Sequence, residues 1–199
     1  MTETYERHVG LLVRLGLLVV KWNRLEANAQ LMLYGLGGGG ETIEALTANM
    51  GTVALTDGLR TLGAEFAPEM AKEHITHYLD LFDRIRAYRN HYVHGVRIME
   101  LRDEKPVGLS QSVSAKSRLV FHQTTITEDD LQETINHINA ANVYGTDITA
   151  TIWMGGKPDK SLLAARGASF LQKPPLPDKL QKPRLFLLDE GPQRRSFPL

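Results

Sequence analysis

The segment Arg84-Ile-Arg-Ala-Tyr-Arg-Asn-His-Tyr-Val-His-Gly holds the residue types best suited to chemistry in this chain. Between Arg84 and Met99 there are four arginines, two histidines and no acid. A histidine gives and takes protons near neutral pH. An arginine grips a phosphate with two parallel N–H groups and neutralises charge that develops on it. On a helix, Asn90 and His94 are four apart and share a face. Arg89 and His94 are five apart, about 140° round at roughly 100° per residue, so both can rim one groove. His94 directly precedes Gly95, next to the exposed backbone of a helix end. Two structural readings compete with chemistry. Basic residues in a last helical turn favour the negative end of the helix dipole, and arginines are often simply solvated.

The elements that would position this segment are mostly helical. Leu11, Leu15, Leu18, Trp22, Leu25, Ala29 and Met32 recur at three- and four-residue steps, which predicts one helix from Glu3 to about Leu33. Gly35 and the run Gly37–Gly40 are expected to end it. That run lacks the Lys-Ser/Thr of a P-loop and reads as a connector. Shorter helices are expected over Glu41–Asn49 and Thr56–Phe66, the second capped by Thr56 or Asp57. Pro68 suits a first turn. From there Met70, Ile75, Tyr78, Leu79, Phe82, Ile85, Tyr88 and Val93 run as a second long helix closed by Gly95. Val96–Leu101 and Arg118–Thr125 read as the strands of a hairpin, with Arg102–Ser117 as its polar loop. Thr127 followed by three acids is a capping-type start. Leu131, Ile135, Ile138, Val143 and Ile148 then carry a last helix to about Trp153.

Composition bounds the class. The chain has 199 residues, 42% apolar and 23% charged, which excludes a wholly disordered chain or a membrane bundle. Val9–Val20 is apolar except for Arg14, but a bilayer span needs about 20 such residues, so a buried first helix and no membrane association are expected. The residues before it carry no net positive charge, and no small-residue cleavage site follows, which argues against a signal peptide. There is no cysteine, which excludes disulfides, thiolate metal sites and a cysteine nucleophile and fits a reducing cytoplasm. Seven of nine prolines follow residue 155. The tail 155–199 holds nine Lys/Arg against four Asp/Glu, and the body 1–154 holds 14 against 19. Such a tail cannot form long helices or central strands. Its apolar run Arg184-Leu-Phe-Leu-Leu favours a strap on the body or a partner over a free arm.

The string Arg89-Asn90-x-x-x-His94-Gly95 resembles the signature of the HEPN superfamily (higher eukaryotes and prokaryotes nucleotide-binding domains), in residue types and in its place at the end of a long helix. The first helix, with Trp22 and Leu25-Glu26 midway, also resembles that family. The likeness covers roughly residues 5–154. The hairpin, the glycine run and the tail are outside the pattern. The fold it implies is a mainly α, HEPN-like up-and-down helical bundle, to which the residue pattern adds a small β-hairpin insert and a Pro-rich C-terminal tail. The activity it implies is a metal-independent endoribonuclease, in which an RNA 2′-hydroxyl attacks the adjacent phosphate and leaves a 2′,3′-cyclic phosphate. By the same resemblance His94 is the general acid/base, Arg89 binds the scissile phosphate, and Asn90 orients His94 or the phosphate. Arg86, His91 and Arg97 are expected substrate contacts on charge and proximity, and Glu26 is expected to pair with Arg89 across the helices. The resemblance further implies RNA as substrate, no cofactor, a cytoplasmic toxin or defence setting, and an antitoxin or other protein partner. It also implies a homodimer whose two motifs share a cleft. Two copies would supply both an acid and a base, where one chain offers one histidine and one arginine.

The alternative reading is a non-catalytic accessory module that binds RNA, a nucleotide or a protein. An enzyme needs Arg89 and His94 open to solvent. A scaffold would bury them or pair them with acids such as Glu26. The other constellations are weaker. His74/His77 and His91/His94 are i,i+3 pairs too far apart on one helix to share an ion, and no HExxH occurs, so no metal site is expected. There is no Gly-x-Ser-x-Gly. Glu128-Asp129-Asp130 reads as capping, and Trp153 and Phe186 are too sparse for a base-stacking platform.

Overall fold

The computed structural model describes residues 8–102, 105–115, 119–157, 160–181 and 184–187, and side-chain surroundings for 8–95, 124–157 and 160–181. Its helices are α1 (Val9–Leu36), α2 (Glu41–Ala48), α3 (Thr52–Phe66), α4 (Glu69–Gly95), α5 (Glu128–Trp153) and α6 (Lys160–Arg166). The strands are β1 (Val96–Arg102), β2 (Lys105–Ala115), β3 (Leu119–Ile126) and β4 (Arg184–Leu187). The fold is mainly helical. No helix among the described residues is long and apolar enough to cross a membrane.

The core is the meeting of the apolar stripes. Leu11, Leu18, Trp22, Leu25, Ala29 and Met32 of α1 are buried, with Ile75, Tyr78, Phe82 and Ile85 of α4 and Leu131, Ile135, Ile138 and Ile148 of α5. Contacts fix the helix directions. Tyr78 Oη donates to Leu25 O at 3.1 Å and Trp22 packs on Phe82 with centroids 4.8 Å apart, so α4 runs against α1. Arg14 pairs with Glu128, and Trp153 Nε1 donates to Leu31 O at 3.4 Å, so α5 runs with α1. Thr52 bonds Glu26 and Gly58 abuts Leu33, so α3 also runs with α1, and α3, α4 and α5 alternate in direction. The pair with Glu128 also explains why Arg14 interrupts an apolar stretch.

Several stripe positions differ from expectation. Val143 and Met70 are about half exposed, and Val13 and Val20 lie on an outer face of α1, so that helix is buried on one side only. In place of Val143, Asn142 turns inward. Asn28 Nδ2 donates to its Oδ1 at 3.0 Å, and Asn142 Nδ2 donates to Lys21 O at 3.3 Å. This buried amide clamp sets the register of α1 on α5, because each amide would be costly unpaired.

Helix boundaries also shift. α1 passes through Gly35 and ends at Leu36, because the missing Cβ makes room for Trp153, whose Nε1 would lie 2.6 Å from it. The turn then needs left-handed backbone, which Gly38, Gly39 and Gly40 supply with φ of 80°, 74° and 94°. α3 begins four residues before Thr56. Its N-cap is Gly51, with no side-chain cap, and Thr56 bonds back to Val53 O at 2.9 Å. α5 starts as expected. Thr127 Oγ1 accepts from Asp130 N at 3.2 Å, and Asp130 Oδ2 accepts from Thr127 N at 2.7 Å, a complete capping box. Thr127→Ala is expected to cost about 1 kcal/mol in urea unfolding.

The hairpin is a correction. The segment expected to be its loop is strand β2, which pairs antiparallel with both β1 and β3, and the sheet order is β1-β2-β3-β4. Val107, Leu109 and Val113 alternate with small polar residues, a two-residue period that serines and a glutamine disguise. Pro106 sits where β2 pairs with β1 alone, beyond the end of the β3 ladder, a position that tolerates a missing N–H.

The tail straps the body. Asp147, 3% exposed, accepts from Arg166 Nε and Nη2 at 3.1 and 2.9 Å and from Leu171 N at 3.2 Å. The chain then follows α4. Lys173 pairs with Glu73, His77 Nε2 donates to Pro174 O at 2.8 Å, and Arg84 Nη1 donates to Pro177 O at 2.6 Å. Beyond it, β4 pairs with β3 through Phe121 and Phe186. Residue Leu188 and the rest of the tail lie outside the described residues. Arg166→Ala is expected to cost about 1–3 kcal/mol, because it strips a buried carboxylate of two donors, and chemical denaturation would register it.

Candidate phosphate-binding site

The site lies on the last turns of α4. Phe82 and Ile85 face the core; Arg86 and Arg89, each one turn further along that face, are half-buried at its edge, while Asn90 and His94 are exposed. Arg86 and Asn90 are one turn apart, as are Asn90 and His94. Arg89 Nη1 donates to Asn90 Oδ1 at 3.0 Å and to His94 Nε2 at 3.0 Å. A guanidinium has donors only, so Nε2 of His94 is the acceptor and the ring proton sits on Nδ1. The His94 ring thus turns its Nε2 edge toward Arg89. The Arg89 guanidinium also stands 5.9 Å from the Trp22 ring centroid, a cation–π contact that fixes it from below. The predicted trio thus converges, and Asn90 orients Arg89 rather than His94.

The remaining predicted residues separate. Glu26 does not meet Arg89. Its Oε1 accepts from Thr52 Oγ1 at 2.6 Å instead, which ties α1 to the start of α3. Arg89 therefore has no carboxylate partner among the described residues, and its charge is available to an anion. Arg86 reaches Asp83 at 2.8 Å while still lining the same pocket as Arg89. His91 is buried, 5% exposed, with its ring beside Tyr92, so it is not presented to an outside ligand as expected. The side chain of Arg97 lies outside the described residues. His74 Nδ1 meets the Tyr144 hydroxyl at 2.7 Å, and burial and Lys173 hold that imidazole below its usual range. Among the described residues no three His, Asp or Glu side chains stand together as metal ligands would.

Two contributors were not visible as such in the sequence. Trp22 reads as a core stripe residue, and it is one, yet its ring face also supports Arg89. The first turn of α3 closes the far side of a pocket of about 350 Å³ lined by Trp22, Gly51, Thr52, Val53, Ala54, Arg86, Arg89 and Asn90. The local signal for it is Gly51-Thr52, four residues before the more conspicuous Thr56. The lining itself contains no acid, and two carboxylates stand directly behind it, Glu26 on Thr52 and Asp83 on Arg86.

Comparison with protein-family models, with curated proteins and with solved structures finds no match to this chain.

Proposed function

We propose that the chain is a metal-independent endoribonuclease of HEPN type that cleaves RNA by transesterification at Arg89 and His94. The observation that carries the reading is the contact between Arg89 Nη1 and His94 Nε2, made at the surface with no carboxylate on either group among the described residues. The chemistry follows from the two side chains. A phosphodiester competes for the Arg89 guanidinium and draws it off His94. The freed Nε2 accepts the proton of the 2′-hydroxyl. The 2′-oxygen then bonds to phosphorus, the bond from phosphorus to the 5′-oxygen breaks, and that oxygen takes a proton from a second acid. Arg89 offsets the charge that builds on the phosphoryl oxygens. In a homodimer with facing motifs, the other copy's equivalent of His94 supplies the second acid.

The setting belongs to the same reading: a cytoplasmic toxin or defence component, held in check by an antitoxin or other protein. The mutual hydrogen bond of Arg89 and His94 gives the alternative its one foothold, since a resting, self-satisfied pair also suits an accessory module that binds RNA, a nucleotide or a protein without turnover. The test is incubation of cellular RNA with wild type, Arg89→Ala and His94→Ala in EDTA, matched for folding and dimer content. The ribonuclease reading expects fragments from the wild type only. Intact RNA across several RNA classes would leave the accessory module.

A further inference from the structure

α1 has a second apolar face, which points away from α4. Val9, Val13, Leu17 and Val20 recur at three- and four-residue steps, so they share one side of the helix, and all four are between 39% and 65% exposed. Gly16 lies among them with open space above it, since a Cβ there would meet nothing within 4 Å. Over those turns that side bears no charge, because Arg14 is turned to Glu128 at its edge. A helix apolar on both sides is normally covered on both, and an exposed apolar stripe marks a contact surface.

The charges at the two ends of the stripe identify its occupant. One turn beyond Val20 stands Arg24, with Lys21 beside it, and neither forms an ion pair among the described residues. At the other end lies the start of α5, since Glu128 stands over Gly10. Glu128 is neutralised by Arg14, while Asp129 next to it is exposed and has no cationic partner among the described residues. The stripe is thus basic at one end and acidic at the other. A second copy turned antiparallel about Gly16 lays apolar stripe on apolar stripe. Arg24 is eight residues from Gly16, about 12 Å along the axis, so it comes level with the start of the other chain's α1 and its Asp129. The bare backbone at Gly16 lets the two helices approach most closely where they cross.

We propose that this face of α1 docks a second copy of the chain, in a two-fold contact that crosses at Gly16. It is on the far side of α1 from Trp22 and α4, so it leaves the Arg89–His94 site open. It is a different contact from the facing of two sites in the ribonuclease reading and does not rest on that reading.

The chain has no cysteine, so one introduced thiol is the reporter. In oxidised glutathione, Gly16→Cys is expected to form a covalent dimer, because the two positions meet across the axis. Ala27 is exposed on the same side but eleven residues along, so the thiols of Ala27→Cys stand about 33 Å apart and should join about tenfold more slowly or less. Val13→Glu alters an exposed position and should keep the wild-type melting temperature and RNA cleavage per chain. It is expected to halve the mass seen by light scattering and to abolish the cross-link in the Gly16→Cys background. Arg24→Glu should weaken association by about tenfold at low salt, and adding Asp129→Lys should restore it. A wild type with the mass of one chain would overturn the contact. So would a mass that Val13→Glu leaves unchanged, equal cross-linking at residues 16 and 27, or a loss at Arg24→Glu that Asp129→Lys does not recover. An assembly that Val13→Glu halves but that cuts no RNA would keep this contact and sink the ribonuclease reading.

Discussion

Replacing His94 with alanine is expected to lower RNA cleavage by about 10²–10⁴-fold while leaving the fold intact. The size follows from the proposed role, since among the described residues the imidazole is the proton carrier in contact with Arg89. The separation of activity from stability follows from its position. His94 is exposed, contacts Arg89 through its ring nitrogen, and stands on the last turn of α4 before Gly95. Truncation there removes no core packing. Circular dichroism and urea unfolding should therefore match wild type within about 0.5 kcal/mol. His94→Gln keeps an acceptor for Arg89 but cannot shuttle a proton, and it should be as inactive as His94→Ala. A His94→Gln protein with near-normal turnover would show that the histidine only positions the arginine.

The second large effect is at Trp22. It is 1% exposed, packs on Phe82 at 4.8 Å and carries the Arg89 guanidinium at 5.9 Å. Trp22→Ala is expected to cost about 3–5 kcal/mol in stability, the usual range for deleting a large buried aromatic. It should also lower cleavage in the fraction that remains folded, because Arg89 loses the surface that holds it. Trp22→Phe should recover most of the stability, since volume and apolarity are largely kept, and part of the activity, since the cation–π contact is weaker. Unfolding curves and turnover per folded molecule separate the two effects. A Trp22→Ala protein less than 1 kcal/mol below wild type would contradict the packing described here.

The long helices were legible because their faces are strongly biased. Leu11 to Met32 and Ile75 to Ile85 keep a helical period, and burial on one face enforces it. Boundaries were less legible because they depend on distant partners. Gly35 continues α1 only because Trp153, more than a hundred residues away, fills the space of its missing side chain. Thr56 looked like a cap, yet α3 starts at Thr52, where Glu26 receives the threonine hydroxyl. Strand β2 escaped notice because its side chains are largely small and polar, and its place is set by backbone pairing on both sides. At the site, the proximity of Arg89, Asn90 and His94 was legible from their spacing, and their choice over the neighbouring arginines and histidine from the family resemblance. His91 was not separable from them by charge, and only the packing of α4 turns it inward. Glu26 was placed near the right helices but given the wrong partner, a choice between hydrogen-bond acceptors that spacing cannot make.

The central claim is transesterification at His94 and Arg89, and its most direct test is the chemistry of the product ends. A defined single-stranded RNA would be cut in EDTA and its fragments weighed by mass spectrometry. The account predicts an upstream fragment ending in 2′,3′-cyclic phosphate and a downstream fragment beginning with a free 5′-hydroxyl, both absent when the residue at the cut carries a 2′-O-methyl group. Fragments with a 5′-phosphate and a 3′-hydroxyl, or cleavage that persists through the 2′-O-methyl block, would contradict it.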